Sequence, residues 1–269
     1  MDKEVQHQEH GRDQQQQPTS AGRGWSRKER RDKGKKLIKR RDLIVLEWIA
    51  QQYAARLDHV RELLGRMPGR GGKPVSPTGL TLSAVLQVVD RWVTLDLAQY
   101  QRIYDGEPGY VSVTPDGLKM LHLPYARRTP AESTLQHLHN INRVRLELER
   151  RHPDFHWVSE RMLRAAQPRR EEGSVVPHLP DAQVWAPSAI GVEVERSPKS
   201  PQELDAILSE LLITGNPVAD GESSLIYTTV WYFVTAHTRR SVEEARDRLP
   251  ADLQPRVKVL SLETFESLS

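Results

Sequence analysis

The sequence predicts an α+β protein, and three observations support this class. Before residue 100, apolar residues recur at the spacing of helices. After residue 150, apolar and polar residues alternate in short segments, as they do in β-strands. Loops rich in glycine and proline separate several of these segments. The first part of the chain is therefore expected to be mainly helical and the second part to be built around a sheet.

The amino terminus is predicted to be a disordered basic tail. The chain has 269 residues, of which 37% are hydrophobic, which is low for a single core of that length. Residues 1–36 contain almost no aliphatic side chains. Between Ser20 and Arg41, eleven lysines and arginines against Glu29 and Asp32 give a net charge of +9. Such an arm suits a polyanion, most commonly the backbone of DNA or RNA, and the alternative is a solvated tail without a partner.

Composition also excludes several classes of protein. No apolar run approaches the roughly eighteen residues of a membrane span, and the amino terminus lacks the hydrophobic stretch of a signal peptide. We therefore expect a cytoplasmic protein with no membrane partner. The chain has no cysteine, which excludes disulfides, thiolate zinc sites and cysteine nucleophiles. Any metal site is expected to be rich in oxygen ligands.

Residues 37–126 are predicted to form a winged-helix domain. Three apolar stripes with helical spacing are centred on Leu46, Leu63 and Val89, and a loop rich in glycine and proline precedes the third. Two alternating segments, 97–104 and 110–114, then flank a turn and predict a β-hairpin. Three helices followed by a hairpin are typical of winged helices.

The third helix of a winged helix usually enters the major groove of DNA. Its expected exposed positions here, Ser83, Gln87, Asp90 and Arg91, include one cation and one anion, so they show no clear pattern for reading bases. A role in dimerisation, giving a homodimer, or in packing on the second domain is the alternative. The predicted DNA-binding residues are the cations of the tail, the loop and the hairpin: Arg27, Lys28, Arg30, Arg31, Lys35, Lys36, Arg40, Arg41, Arg66, Arg70, Lys73, Arg91 and Arg102.

Residues 130–269 are predicted to form a second, α/β domain. A helix over 135–151 precedes three alternating segments, and Ser200 with Glu203 forms a capping box that opens a second helix. A buried strand, a last helix and a last strand follow. The predicted order is αβββαβ with a helix and a strand after it; the strands are 155–159, 182–185, 190–195, 225–235 and 257–262, and the last helix is 241–249.

Three carboxylates stand out in this second part. Asp181 directly precedes the second strand, and Glu193 and Glu195 lie in the third. Side chains alternate along a strand with period two, so the two glutamates are expected on one face while Val192 and Val194 pack on the other. Like charges at this spacing repel unless water or a cation separates them. The pair is therefore either solvated or bound to something positive.

The αβββαβ order with these carboxylates resembles the core of PD-(D/E)XK nucleases. The resemblance implies Mg²⁺ bound by Asp181 and Glu193, with a lysine acting on the scissile phosphate or the attacking water. The lysine usually stands two residues after the third-strand acid, where this chain has Glu195, and Lys199 is the nearest replacement. Glu160, after the first strand, adds a further carboxylate. The predicted catalytic group is Asp181, Glu193, Glu195, Lys199 and Glu160.

The whole chain from about residue 40 to 262 is similar to the replication-relaxation family of actinobacterial plasmids and integrating elements. The motifs that carry this resemblance are Thr134–Val144, Trp157–Arg164, Pro180–Asp181 and Val192–Ser200. By the same resemblance, His139, Asn142, Trp157 and Glu160 match family positions. It implies a role with DNA in the replication, relaxation or mobilisation of a mobile element, with replication or mobilisation proteins as partners.

Three functional interpretations follow. The first is a Mg²⁺-dependent endonuclease, the second a non-catalytic DNA-binding or assembly protein on a nuclease-like scaffold, and the third an adaptor that binds proteins. His137 and His139 do not support a metal site of their own, because residues two apart on a helix point about 200° apart.

Overall fold

The computed structural model describes residues 37–263 except 69–71, 77–78, 127, 129, 168–176 and 218–223. These residues form an α+β protein, which confirms the predicted class. The predicted basic tail, 1–36, lies outside the described residues. Within them, no helix combines the length and the hydropathy needed to cross a membrane.

The first part of the chain forms helices around a small sheet. Its elements are α1 (Arg40–Gln51), β1 (Ala54–Arg56), α2 (Leu57–Arg66), α3 (Leu82–Thr94), β2 (Ala98–Gln101), β3 (Tyr110–Val113) and α4 (Pro115–Met120). The three strands are antiparallel in the order β1-β3-β2. Apolar faces of the first three helices meet in one core, in which Trp92, Leu46 and Leu64 are fully buried.

The three helices and the hairpin occur where the sequence predicts them, with three differences. The strand β1 was not predicted, because three residues are too few to show a period of two. The apolar spacing around Leu46 includes Ile44 on the buried face of the first helix, but Ile44 is 42% exposed and Val45 and Trp48 are buried instead. The first strand of the hairpin is also shorter than predicted, Ala98–Gln101.

The second part is built on a five-stranded sheet. Its helices are α5 (Glu132–Arg151), α6 (Glu160–Ala166), α7 (Pro201–Ser209) and α8 (Ala236–Arg248), with a π-helical turn over Glu210–Thr214 and a 3-10 turn over Gln254–Arg256. Its strands are β4 (His156–Ser159), β5 (Ala182–Ala186), β6 (Ser188–Glu195), β7 (Asn216–Pro217), β8 (Ser224–Leu225), β9 (Thr229–Val234) and β10 (Val257–Ser261).

The sheet has the strand order β10-β9-β6-β5-β4. Its β4, β5 and β6 are antiparallel, and β9 and β10 join them in parallel, each after a helix. The predicted order of elements is therefore present, with α6 added after the first strand and the two-stranded sheet of β7 and β8 added before β9. The strand predicted over 225–235 is shorter, Thr229–Val234, because Leu225 belongs to β8. The side chain of Ser200 accepts a hydrogen bond from the amide of Glu203 (3.2 Å) and caps α7, which is one half of the predicted capping box. Helix α8 begins at Ala236, before the predicted start.

Helices cover both faces of this sheet. Side chains of α5 share one apolar cluster with Val192, Val194 and Phe233 of the sheet. Side chains of α7 and α8 share another with Tyr232 and Val234. Because neighbouring side chains along a strand point to opposite faces, Phe233 packs with α5 on one face and Tyr232 packs with α7 and α8 on the other. The sheet is thus the middle layer of three.

Helix α5 belongs to both parts of the chain. Leu146 packs into the core formed by the first three helices, while Leu138 and Val144 pack on the five-stranded sheet. The buried Asn142 side chain donates a hydrogen bond to the carbonyl of Ala54 in β1 (2.9 Å). The buried Arg145 donates to the side chain of Gln51 at the end of α1 (2.8 Å). Lys36–Ser269 accordingly forms one unit by its contacts.

Candidate active site

The sheet places the three predicted carboxylates together at one end of two adjacent strands. Ala182, the first residue of β5, is the Cα partner of Val192 in β6, so Asp181 lies beside Glu193. Glu193 and Glu195 lie on one side of β6, as the alternation of a strand requires. Both glutamates are buried, with exposures of 4% and 6%. Buried carboxylates need partners that stabilise their charge or a proton that removes it.

Each of the three carboxylates has a partner that is or can become positive. His137 Nε2 on α5 lies 2.9 Å from Asp181 Oδ1, and the backbone amide of Val194 donates to Asp181 Oδ2 (2.8 Å). His178 Nε2 lies 2.7 Å from Glu193 Oε1. The ammonium of Lys199 donates to Glu195 Oε2. The like charges on neighbouring strands are thereby compensated inside the protein.

Lys199 reaches the site from the loop between β6 and α7. Burial lowers the pKa of its ammonium, but its hydrogen bond to Glu195 and the charges of Glu195, Glu193 and Asp181 outweigh burial and raise the pKa overall. The group is therefore a stable cation at neutral pH. Lys199 therefore places an ammonium in the carboxylate cluster, although the position on β6 where a lysine was expected carries Glu195.

The two histidines and Glu193 have shifted protonation equilibria. Burial alone would lower the pKa values of both imidazoles, but the charge and hydrogen bond of Asp181 raise that of His137, and those of Glu193 raise that of His178. Burial raises the pKa of the Glu193 carboxyl, and the hydrogen bond and charge of His178 oppose it. These shifts favour the protonated forms of the two imidazoles and oppose the loss of a proton from Glu193.

Two residues of this cluster were missed by the sequence analysis. His178 comes from the segment just before Asp181, and its proximity in the chain was the only available signal. Tyr232 lies in β9 as the Cα partner of Glu193, and its fully buried hydroxyl has no hydrogen-bond partner among the described residues. Burial, followed by the charges of Glu193 and Glu195, raises its pKa well above the usual value. Tyr232 is therefore a neutral hydroxyl facing the acids.

Glu160 lies on a cavity that adjoins the carboxylate cluster rather than within the cluster. The cavity, of 240 Å³, is lined by His137 and Asp181 on one side and by Tyr53 and Arg161 on the other. Glu160 accepts a hydrogen bond from the Tyr53 hydroxyl (2.7 Å). The cavity therefore brings a hydroxyl, an imidazole and carboxylates to the edge of the site.

His137 and His139, both on α5, point to different neighbours, as their spacing predicts. His137 contacts Asp181, whereas the ring of His139 stacks on that of His59 in α2, with centroids 4.8 Å apart. Together with Asp58, these stacked histidines form a second group whose ligand atoms could hold a metal ion.

The predicted DNA-binding cations occupy several environments. Arg40, Lys73 and Arg102 are exposed. Arg66 donates to the carbonyl of Leu146 on α5 (2.9 Å), so it joins the two parts of the chain. Six predicted cations in the tail and Arg70 in the loop lie outside the described residues, and Arg41 approaches Asp42 in α1 (3.5 Å).

Arg91 is engaged inside the first part of the chain. Its guanidinium lies 2.6 Å from the carboxylate of Asp42, which is fully buried. The exposed positions predicted on the same helix, Ser83, Gln87 and Asp90, remain at the surface. Arg91 therefore has a structural role whatever it contacts in a complex.

Replacing Arg91 with methionine is expected to lower the free energy of unfolding by about 1.5–3 kcal/mol, because the buried Asp42 carboxylate loses a charged hydrogen-bond donor and keeps the more distant guanidinium of Arg41. Urea unfolding followed by circular dichroism measures the change. Arg102→Met, at an exposed arginine, is the matched control and should alter stability by less than about 0.5 kcal/mol. Equal stabilities of the two variants would contradict the structural role of Arg91.

The chain has no match among protein-family models, curated proteins or solved structures.

Proposed function

We propose that this protein binds duplex DNA and hydrolyses its phosphodiester bonds with Mg²⁺ held by Asp181 and Glu193. The observation that carries the proposal is the contact of Lys199 with Glu195 beside these two acids. It supplies the cation that a PD-(D/E)XK site needs and that the third strand itself lacks.

The architecture also supports the proposed nuclease function. Three antiparallel strands, a helix and a parallel strand, with acids at the ends of the second and third strands, are the arrangement expected of a PD-(D/E)XK core. The helices α1, α2 and α3 with the hairpin β2-β3 support a winged helix in front of it. We further propose that the protein acts in the replication, relaxation or mobilisation of a plasmid or mobile element.

The residues present fit Mg²⁺. Asp181 and Glu193 offer carboxylate oxygens, the ligands that this hard cation prefers. The amide of Val194 fixes one oxygen of Asp181 and so orients the carboxylate. Bound magnesium would supply an activated water nucleophile and neutralise charge on the phosphate.

The remaining residues have roles that follow from their contacts. The Lys199 ammonium, which stays protonated, stabilises negative charge on the phosphate. His137 and His178 hold a proton at Nε2 against Asp181 and Glu193 when no metal competes for these acids. His137 also lines the adjoining cavity, so it can hold or release a proton at the edge of the site.

A second function is favoured by one feature of the same cluster. Every acid in it already has a partner within the protein, so the cluster can be stable without a metal. This favours a non-catalytic DNA-binding or assembly protein that keeps a nuclease-like scaffold. The two functions differ in whether the acids exchange their histidine partners for Mg²⁺.

The proposal is tested by incubating supercoiled and linear DNA with the full chain in Mg²⁺, in Mn²⁺ and in EDTA. We expect nicking that requires the metal, and at least tenfold weaker Mn²⁺ binding by Asp181→Asn. Asp154→Asn, at an exposed acid in the turn before β4, is the matched control and should bind and cleave as the wild type does.

Gel shifts over a range of salt concentrations separate the alternatives. Intact DNA in all metals, with binding that weakens steeply as salt rises, would overturn cleavage and favour the non-catalytic function. Binding that is insensitive to salt and survives removal of residues 1–36 would overturn both DNA functions and favour an adaptor.

A further inference from the structure

The side chain of His59 in α2 is a buried imidazole without a hydrogen-bond partner. It is 2% exposed, and neither ring nitrogen has a partner among the described residues. A neutral imidazole carries one N–H donor and one acceptor, and leaving such groups unpaired in an interior destabilises the folded chain. The nitrogen atoms of His59 are therefore available to a ligand that the polypeptide does not provide.

Two further ligand groups lie beside His59. The ring of His139 on α5 stacks on it almost in parallel, at 6° with centroids 4.8 Å apart, and the Nδ1 of His139 is also without a partner among the described residues. The Asp58 carboxylate lies 4.0 Å from His59 Nε2. Ligand atoms of these three residues all lie within 4.8 Å of one another.

The protonation states suit a metal. Burial lowers the pKa of His59 to about 3 and that of His139 to about 4, so both imidazoles are neutral at physiological pH and keep a lone pair. Metal ligation requires this form of histidine. Arg56 binds the Asp58 carboxylate through Nη2 (2.6 Å), and such an outer contact fixes the orientation of a ligating carboxylate.

We propose that Asp58, His59 and His139 bind a Zn²⁺ ion between α2 and α5. Two imidazoles and one carboxylate are a ligand set typical of zinc, and they differ from the oxygen ligands that Mg²⁺ prefers. Ligand atoms in a tetrahedral zinc site lie about 3.3 Å apart, so the group contracts on binding and the two rings turn out of their stack. The ion ties the first part of the chain to the helix that carries His137.

This site is separate from the proposed nuclease site, and its test does not depend on cleavage. The full chain is treated with EDTA, dialysed and titrated with Zn²⁺ by calorimetry and with Co²⁺ by visible absorption. We expect tight Zn²⁺ binding, the intense visible bands of tetrahedral Co²⁺, and a rise in the midpoint of thermal unfolding with Zn²⁺ that is lost in His139→Gln.

Variants assign the binding to these residues. His139→Gln and Asp58→Asn should each weaken Zn²⁺ binding at least tenfold, with folding checked by circular dichroism. His156→Gln, at an exposed histidine, should bind Zn²⁺ as the wild type does. Absence of tight binding by the wild type would overturn the proposal, and so would tetrahedral Co²⁺ bands that persist in a folded His139→Gln variant.

Discussion

Replacing Lys199 with methionine is expected to reduce metal-dependent cleavage of DNA by about two to three orders of magnitude, the usual cost of removing one group that stabilises charge in the transition state. Methionine keeps a long apolar side chain but removes the ammonium that contacts Glu195. Because Lys199 acts on the reacting phosphate in this proposal, its loss should lower kcat with little change in DNA affinity.

Three comparisons make this result specific to Lys199. Lys258→Met, at an exposed lysine in β10, should cleave as the wild type does. Lys199→Arg keeps the charge and should retain part of the activity. Since Glu195 loses its partner in Lys199→Met, urea unfolding must show that the variant is folded under the assay conditions. Wild-type cleavage rates in a folded Lys199→Met variant would show that the lysine has only a structural contact with Glu195.

Acid is expected to destabilise the metal-free protein through His59 and His139. Their pKa values, about 3 and about 4 in the folded chain, lie below the ordinary value of 6.5. Burial is the main cause for both. Asp58 opposes it, while the cations Arg56 and Arg143, and for His139 also Arg196, act with burial. At these two residues, the unfolded chain therefore binds more protons than the folded chain below about pH 6.5.

The free energy of unfolding therefore decreases at these two residues as the pH falls. The stability contributed by two neutral buried imidazoles is complete above pH 6.5 and falls as the pH decreases towards the folded pKa values. Between pH 7.5 and pH 5, each histidine should cost about 2 kcal/mol of unfolding free energy. His137 and His178, whose pKa values are raised, act in the opposite direction because they favour the folded state when protonated.

The measurement is urea unfolding in EDTA at pH 7.5 and at pH 5, for the wild type and for a His59→Gln/His139→Gln variant. Contributions from the rest of the chain, including those of His137 and His178, are common to both proteins. The wild type should lose about 4 kcal/mol more than the variant over this interval. Equal losses in the two proteins would show that these histidines are not buried in the neutral form.

Regular elements were the most predictable part of the fold, because most helices and strands with a long apolar pattern occur close to their expected places; the strand predicted over 225–235 is the exception, since it begins only at Thr229. Short elements were missed for physical reasons. The helix α6 begins immediately after β4, where the Ser159 side chain accepts from the Met162 amide (3.3 Å) and converts a strand into a helix within one residue. The π-helical turn at Glu210–Thr214 continues α7 and has no separate signal in the sequence.

The carboxylate cluster was partly predictable. Strand periodicity placed Glu193 and Glu195 on one face, and the pairing of β5 with β6 brings Asp181 beside them. The partners of these acids could not be predicted, because His178 comes from an irregular segment and Tyr232 from a strand that is distant in the sequence. The pairing of His59 with His139 depends on the packing of α2 against α5, which local patterns do not specify.

Helix α5 packs in both apolar clusters, so cutting the chain on either side of this helix removes contacts that the rest of the protein needs. A fragment ending before α5 would expose the surface that Leu146 covers and leave the carbonyl of Ala54 without the Asn142 amide. A fragment beginning at α5 would in turn expose the side of the helix that carries Arg145 and Leu146. Neither piece would behave as an independent module in solution. The helical first part and the acid cluster therefore depend on each other for folding.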